Sequence, residues 1–341
     1  MKALVKEKPE KGLKLRKVDL PKISSRDLLV KVLSASICGT DLHIYKWDEW
    51  SQKNLAPPVI PGHEFCGEIV DMGSEAEGFK IGDRIAGEGH LTCGKCRNCR
   101  SEKKHLCLNV IGLGISRNGA FAEYVSIPAE NAFLIPPNIS NDLASMMDPL
   151  GNAIHTALEY NLAGEDVLIT GAGPIGIMAA ALCHHVGARR IVISDFNEYR
   201  LNLAKKMGAT HTVNISEVPL EKFIKEMNMS EGIDIALEMS GSSQALQDIL
   251  NIVRPGSPVC LLGILPNSAA IDWQKVIFKG LTLRGIYGRK MFDTWYKMIG
   301  MLSEGLHVSP ILTHRFSFEE YKKAFEIMSS GLSGKVVLTW S

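Results

Sequence analysis

The sequence predicts a two-domain α/β protein, a mainly β domain followed by a doubly wound parallel sheet, and three observations carry that prediction. The chain has 341 residues, more than one ordinary hydrophobic core organises, so two compact units are expected. Residues 1 to about 150 are rich in Gly and Pro and carry short β-forming runs, the texture of an irregular β domain. From Asp166 onward strand-like and helix-like runs alternate, and that order gives a parallel sheet with helices on both faces.

In the first domain, 28–33 (LLVKVL), 68–71 and 121–127 read as strands, and 38–50, CGTDLHIYKWDEW, reads as a loop crowded with polar groups. In the second, VLIT, RIVISD, THTVNI, IDIALEM, SPVCLLG and LTLRGIYG are six strands. PIGIMAAALCHHV, EYRLNLAKKMG and a stretch near 243–253 are helices between them. Helical patterns at 292–303 and 318–329 and the final VVLTW have no place in that sheet and are expected to return to the first domain. The expected boundaries are thus 1–150, 151–290 and 291–341.

Composition narrows the function by exclusion. A formal net charge of +1 gives no electrostatic reason to expect a nucleic-acid or membrane partner. The start, MKALVKEKPEKG, lacks the apolar run of a secretory signal. The most apolar stretch, 167–183, is broken by three glycines and Pro174, so it reads as buried core rather than a membrane span. Eight cysteines, four of them between 93 and 107, point to metal in a reducing compartment, and a cytoplasmic location is the expectation.

In VLITGAGPIG, Gly171, Gly173 and Gly176 form GxGxxG between a strand and a helix, so backbone can approach a pyrophosphate at the helix N-terminus. Asp195 ends the next strand, where a carboxylate accepts hydrogen bonds from a ribose and repels a 2′-phosphate, favouring NAD over NADP. Arg200 complicates that preference, because a guanidinium there suits a phosphate as well as the adenine side. The plainer reading makes the glycines tight packing and Asp195 a helix cap.

Cys93, Cys96, Cys99 and Cys107 follow a C-x2-C-x2-C-x7-C pattern, suited to thiolates around one tetrahedral zinc with no open position. Two disulfides or an iron–sulfur cluster are the rivals. A second group, Cys38 with His63 and Glu64, mixes ligand types in the way catalytic zinc does and leaves a position open. Singly, each of the three also reads as an ordinary core or ion-paired residue. Their company with a dinucleotide fold is what favours catalysis, since a redox-inert Lewis acid beside NAD is a route to alcohol oxidation.

GHE at 62–64, the cysteine lobe at 89–110, GAGPIG and the terminal SGKVVLTW together resemble the zinc-dependent medium-chain alcohol dehydrogenase family. CGTDLHIYKWDEWSQK, DPLGNAIHTAL and DWQKVIFKGLTLRGIYGR are similar to its bacterial branch that oxidises L-threonine at C3. The resemblance implies a Rossmann domain, a GroES-like catalytic domain with a structural zinc lobe, a homotetramer and a cytoplasmic location. It implies two zinc ions per subunit, a catalytic one on Cys38, His63 and Glu64 and a structural one on the four lobe cysteines. It further implies a proton relay through Thr40 and His43, and NAD contacts at Ile175, Asp195, Arg200, Leu262, Gly263, Ile264, Ile286 and Tyr287.

One departure matters: many members of the family supply a late cysteine ligand, and here none lies between 107 and 183. Asp148, in MMDPLGN, falls about there and competes with Glu64. The threonine branch favours Glu64 as ligand and Asp148 as a group needed for proton transfer, and a helix N-cap is the plainer role for Asp148. A threonine substrate also brings an ammonium and a carboxylate that need partners. Asp48 or Glu49, walled by Trp47 or Trp50, are candidates for the first and Arg289 for the second. A polyol or 2,3-butanediol dehydrogenase would share the zinc and NAD residues, and a non-enzymatic redox sensor is the alternative of a different class.

Overall fold

The computed structural model describes residues 1–229 and 231–340, in two compact units. The first comprises Met1–Pro149, Lys290–Ser303 and the chain from Leu312 onward, and the second Leu150–Arg289 with Glu304–Ile311. The C-terminal segment therefore does not return to the first unit as one piece. Leu306, Val308 and Ile311 are buried where the turn Ser309–Ile311 lies against helices Pro174–His185 and Glu198–Lys206, and covering those apolar side chains holds the stretch in the second unit.

The second unit is a six-stranded, all-parallel sheet. Its order is His211–Asn214, Arg190–Asp195, Asp166–Thr170, Ile235–Glu238, Pro258–Leu261 and Thr282–Gly285. Chain order reverses beside Asp166–Thr170, the first of these strands, and that switch point opens a crevice at the carboxyl ends. Asp166–Thr170 is buried along its length, as expected of a central strand covered on both faces. Helices Leu220–Glu226 and Trp273–Phe278 were not expected from sequence, because each is under two turns and too short to display a helical period.

The first unit is built on a seven-stranded sheet. Asp27–Ser36 is its hub, pairing antiparallel with Glu64–Met72 on one side and with both Tyr124–Pro128 and Lys335–Thr339 on the other. Alternating burial along Asp27–Ser36 packs Leu28, Val30 and Val32 into a core with Phe65, Phe121 and Phe325. The final strand thus returns to the first unit, with Val337 opposite Ser36 and Ser36 opposite Glu64. Residues 38–50 are a correction: the crowded stretch is two helices, Gly39–Lys46 and Glu49–Asn54. Among the described residues no helix is long and apolar enough to cross a membrane.

Candidate active site and metal centres

Ligand-type atoms of Cys38, His63 and Glu64 lie within 4.8 Å of one another. Cys38 is the N-cap of helix Gly39–Lys46, and the carboxylate of Asp41 at its third position reaches back to accept from the Cys38 N–H at 2.9 Å. That closed cap fixes the thiol in extended backbone at the mouth of a helix. The other Asp41 oxygen accepts from the Gly62 N–H at 3.2 Å and stands 3.9 Å from His63 Nδ1. Asp41 therefore ties the thiol-bearing turn to the His63 turn, a role the sequence did not disclose. Burial pushes its carboxyl up from the ordinary range, against the pull of His63 and the Cys38 N–H.

Glu64 opens strand Glu64–Met72 and is 1% exposed. Its Oε2 accepts from Ser36 Oγ and from the ammonium of Lys335, which also donates to the Ile37 carbonyl at 2.8 Å. Its Oε1 is buried without a hydrogen-bond partner among the described residues, as is His63 Nδ1. Burial disfavours a charged His63, yet the facing Cys38 thiol, Asp41 and Asp148 outweigh it and raise the imidazole well above its usual value. A site that concentrates negative charge around a histidine and strands an acceptor oxygen suits a divalent cation. One sulfur, one nitrogen and one oxygen donor fit zinc with a fourth position open.

Asp148 borders this group without belonging to the mutually adjacent set. A Cβ built on Gly89 would stand 3.1 Å from the His63 Cβ and 3.4 Å from Asp148 Oδ2, so Gly89 is the spacer between them. Asp148 lies in the first turn of helix Met147–Ala157 rather than at an N-cap.

Thr40 and His43 are three apart in helix Gly39–Lys46 and so share a face. His43 is exposed and Thr40 half-buried. The expected substrate wall is rearranged. Asp48 caps helix Glu49–Asn54 through the Ser51 N–H at 3.2 Å, and its other oxygen holds His43 Nδ1. Asp48 is thereby engaged and is not offered to a substrate ammonium. Glu49 pairs with Lys53 on the exposed face. The Trp47 ring faces Lys6 Nζ at 4.9 Å, while Trp50 lies 6.0 Å from the His43 ring. Arg289 is 2% exposed and donates to Asn152 Oδ1 at 3.2 Å, so it is not presented as a carboxylate receptor.

The four lobe cysteines form the second metal group. Cys93 and Cys107, and Cys96 and Cys99, have sulfurs 3.5 Å apart. That is far beyond a disulfide bond and near the roughly 3.8 Å edge of a tetrahedron with 2.3 Å zinc–sulfur bonds. All eight cysteines are free thiols, which removes the disulfide reading. The lobe is closed at its base by the strand pair His90–Leu91 and Ile111–Gly112. Backbone N–H groups of Lys95 and Cys96 aimed at Cys93 bring its thiol down to about 6, and those of Cys99 and Leu108 lower Cys96. Burial pushes Cys99 up to about 12. Four clustered sulfurs cannot all ionise unaided, so a cation must replace the last protons.

In the second unit the nucleotide residues gather at the carboxyl ends of the strands. Gly171, Gly173 and Gly176 follow the first strand, and Gly173 caps helix Pro174–His185 with Pro174 next and Ile175 in the first turn. A Cβ on Gly176 would meet the Gly171 carbonyl at 2.0 Å, whereas one on Gly173 would project into open space. Gly176 therefore serves packing and Gly173 leaves a cradle over a helix N-terminus, which fits a pyrophosphate. Asp195, last in its strand, accepts from the N–H groups of Ala172 at 2.7 Å and Asn197 at 2.9 Å. Arg200 Nε is buried with no partner among the described residues. Leu262, Gly263 and Ile264 follow the fifth strand, where Ile264 is 93% exposed, and Ile286 and Tyr287 follow the sixth. Glu238, missed in the sequence, ends the fourth strand, and its carboxylate accepts from the N–H groups of Ser240 and Gly241, both at 2.9 Å. Its signal was the acid that ends the otherwise apolar strand Ile235–Glu238, IALE.

Two family models match this chain: alcohol dehydrogenase GroES-like domain over residues 24–137 and zinc-binding dehydrogenase over residues 174–304. An L-threonine 3-dehydrogenase of Vibrio cholerae is 58% identical over 340 residues, covering 100% of this chain and 99% of its own length. Among solved structures, a zinc-binding dehydrogenase from Sinorhizobium meliloti bound to NADP aligns with a TM-score of 0.92 at 29% identity, over 99% of each chain. A short chain alcohol dehydrogenase from E. coli complexed with NADH aligns with the same TM-score at 28% identity, over 100% of this chain and 99% of that one.

Proposed function

The chain belongs to the zinc-binding alcohol dehydrogenase family, and on that premise we propose that it oxidises L-threonine at C3 with NAD, yielding L-2-amino-3-oxobutanoate and NADH. The observation that carries the substrate is the full-length similarity to the Vibrio cholerae enzyme. The reaction removes a proton from the C3 hydroxyl and a hydride from C3, and the two leave by different routes. When bound, a zinc ion supplies Lewis acidity that makes the hydroxyl easier to deprotonate, and the dinucleotide accepts the hydride.

The protein's own residues account for the rest. Cys38, His63 and Glu64 would hold the ion, with Asp41 steadying the turns that carry Cys38 and His63. Ser36 and Lys335 occupy one Glu64 oxygen and leave the other for metal. Thr40 both accepts and donates, and exposed His43 passes the proton to solvent, as suits an imidazole, whose two ring nitrogens can accept a proton on one side and release one on the other. Asp148, beside His63, adds negative charge that favours proton departure. Cys93, Cys96, Cys99 and Cys107 would hold a second zinc, a structural one.

NAD is preferred over NADP because Asp195 places a carboxylate at the end of the second strand, where it accepts from a ribose and repels a phosphate. A homotetramer in the cytoplasm completes the proposal, in keeping with the family resemblance and the reduced cysteines.

The test is NADH or NADPH formation from L-threonine, L-serine, 2,3-butanediol and sorbitol. L-Threonine with NAD is expected to give the highest kcat/KM. L-Serine should fall by about 10- to 200-fold for its missing methyl, and the diol, which brings neither ammonium nor carboxylate, should fall below L-threonine as well. A preference for sorbitol or butanediol would overturn the substrate assignment, and a preference for NADP would overturn the reading of Asp195.

A further inference from the structure

The chain turns sharply between His43 and Asp48. Trp47, at the C-cap of helix Gly39–Lys46, has φ 58° and ψ 48°, a left-handed conformation uncommon for a bulky residue, and its N–H donates to the His43 carbonyl at 2.9 Å. This turn swings residue 48 back along the helix, so the Asp48 carboxylate meets His43 Nδ1.

Two further contacts hold the turn in place. Lys6 is 1% exposed; its ammonium sits over the Trp47 ring and donates to the carbonyls of Glu10 and Gly12, while the Gly12 N–H donates to the Tyr45 carbonyl at 2.7 Å. Burial brings the Lys6 ammonium down to about 8, which still leaves it mostly charged near neutrality. A left-handed non-glycine residue persists where its surroundings over-determine it, and such residues cluster at functional sites. Burial acts against charge on Asp48, but the hydrogen bonds from His43 and the Ser51 N–H prevail and hold its carboxyl below the ordinary range. An ionised carboxylate can only accept, so Nδ1 is the protonated nitrogen of His43, and in the neutral imidazole Nε2 is then the one with the lone pair.

We propose that Asp48, set by the left-handed Trp47 turn and the Lys6 ammonium beneath it, is a positioning residue that fixes the tautomer and orientation of His43 so that Nε2 is the proton-accepting atom. The inference rests on the proton path of the preceding subsection. It gives the turn a purpose that a loop of substrate contacts would not need, since the acid expected to bind the substrate ammonium faces the histidine instead.

Asp48→Ser keeps a good N-cap for helix Glu49–Asn54 but cannot reach His43, and Asp48→Asn keeps cap and reach but loses the charge. Both are expected to fold with wild-type zinc content and Tm, and to lower kcat about tenfold with KM for L-threonine changed less than about twofold, the scale seen when an orienting partner is removed. His43→Ala should lower kcat at least as much, and Asp48→Ser should cost nothing more in that background. In protein labelled with ¹⁵N-histidine, the signals absent from His43→Ala should report an Nδ1–H tautomer in wild type and a mixture in Asp48→Ser. A raised KM with intact kcat would overturn the proposal and return Asp48 to the substrate ammonium. An undiminished Asp48→Ser effect without His43, or an unchanged ¹⁵N signature, would also overturn it. His43→Ala with wild-type kcat would instead refute the proton path, and a persisting Nδ1–H signature would then show that the contact stands while the relay does not.

Discussion

Cys38→Ala is expected to lower kcat/KM for L-threonine oxidation by roughly a thousandfold or more and to reduce bound zinc from two ions per chain to one. The thiolate is one of three donors in the group with Glu64 and His63, and the remaining pair cannot hold an ion against water with comparable affinity. Lewis-acid stabilisation contributes several kcal/mol, and about 1.4 kcal/mol corresponds to each decade of rate. Fold stability should change little, because the Asp41 carboxylate still closes the cap on the backbone N–H of residue 38 once the thiol is gone. Zinc analysis, steady-state kinetics and thermal melting on one preparation check the three parts. Retention of two zinc ions with a large activity loss would mean that Cys38 acts on substrate directly.

Cys107→Ser is expected to do the reverse to the lobe. Structural zinc binding is worth on the order of 10 kcal/mol or more in small zinc folds, and residues 92–110 contain one short helix, Arg97–Arg100, and one 3-10 turn, between the two-residue strands His90–Leu91 and Ile111–Gly112 that pair at the base. With so little apolar burial the metal must supply the order. Lys95, Arg97, Arg100, Lys103 and Lys104 make the segment a trypsin substrate once it opens. Cleavage there should accelerate by at least about 100-fold while the sheet of the first unit stays intact, since cleavage follows the population of the open form. Mass spectrometry of the limited digest identifies the cut sites. Wild-type resistance with one zinc lost would place the lobe's order in its side chains instead.

These outcomes follow from features that were unequally visible in the sequence. The six parallel strands and the cysteine lobe could be read because each rests on a local pattern, an apolar run or a fixed cysteine spacing, whereas Cys38, His63 and Glu64 rested on their company with a dinucleotide fold and on the family resemblance. The crowded segment 38–50 reads as a loop in sequence and is helical in the structure. Its helix Gly39–Lys46 has no apolar stripe, and its N-cap is a cysteine, so neither periodicity nor capping preference marked it. A retrievable signal was Asp41, an acid three residues after Cys38 in the position of a capping box. Lys335 and Ser36 could not be assigned to Glu64, because their meeting depends on the last strand crossing to pair with Asp27–Ser36, a contact roughly three hundred residues apart in the chain. The role of Asp48 was hidden for a similar reason. Only the left-handed turn at Trp47 decides whether that carboxylate faces a substrate or the histidine five residues before it.

The central claim is that one chain holds two zinc ions of different kinds, one closed by sulfur and one left open for chemistry. Zinc X-ray absorption on the purified, fully active protein tests it most directly. The account predicts two ions per chain and an average first shell of about 2.5 sulfurs per ion, the mean of a four-sulfur site and a one-sulfur site completed by nitrogen and oxygen. One ion per chain in an all-sulfur shell, with L-threonine oxidation undiminished, would contradict it.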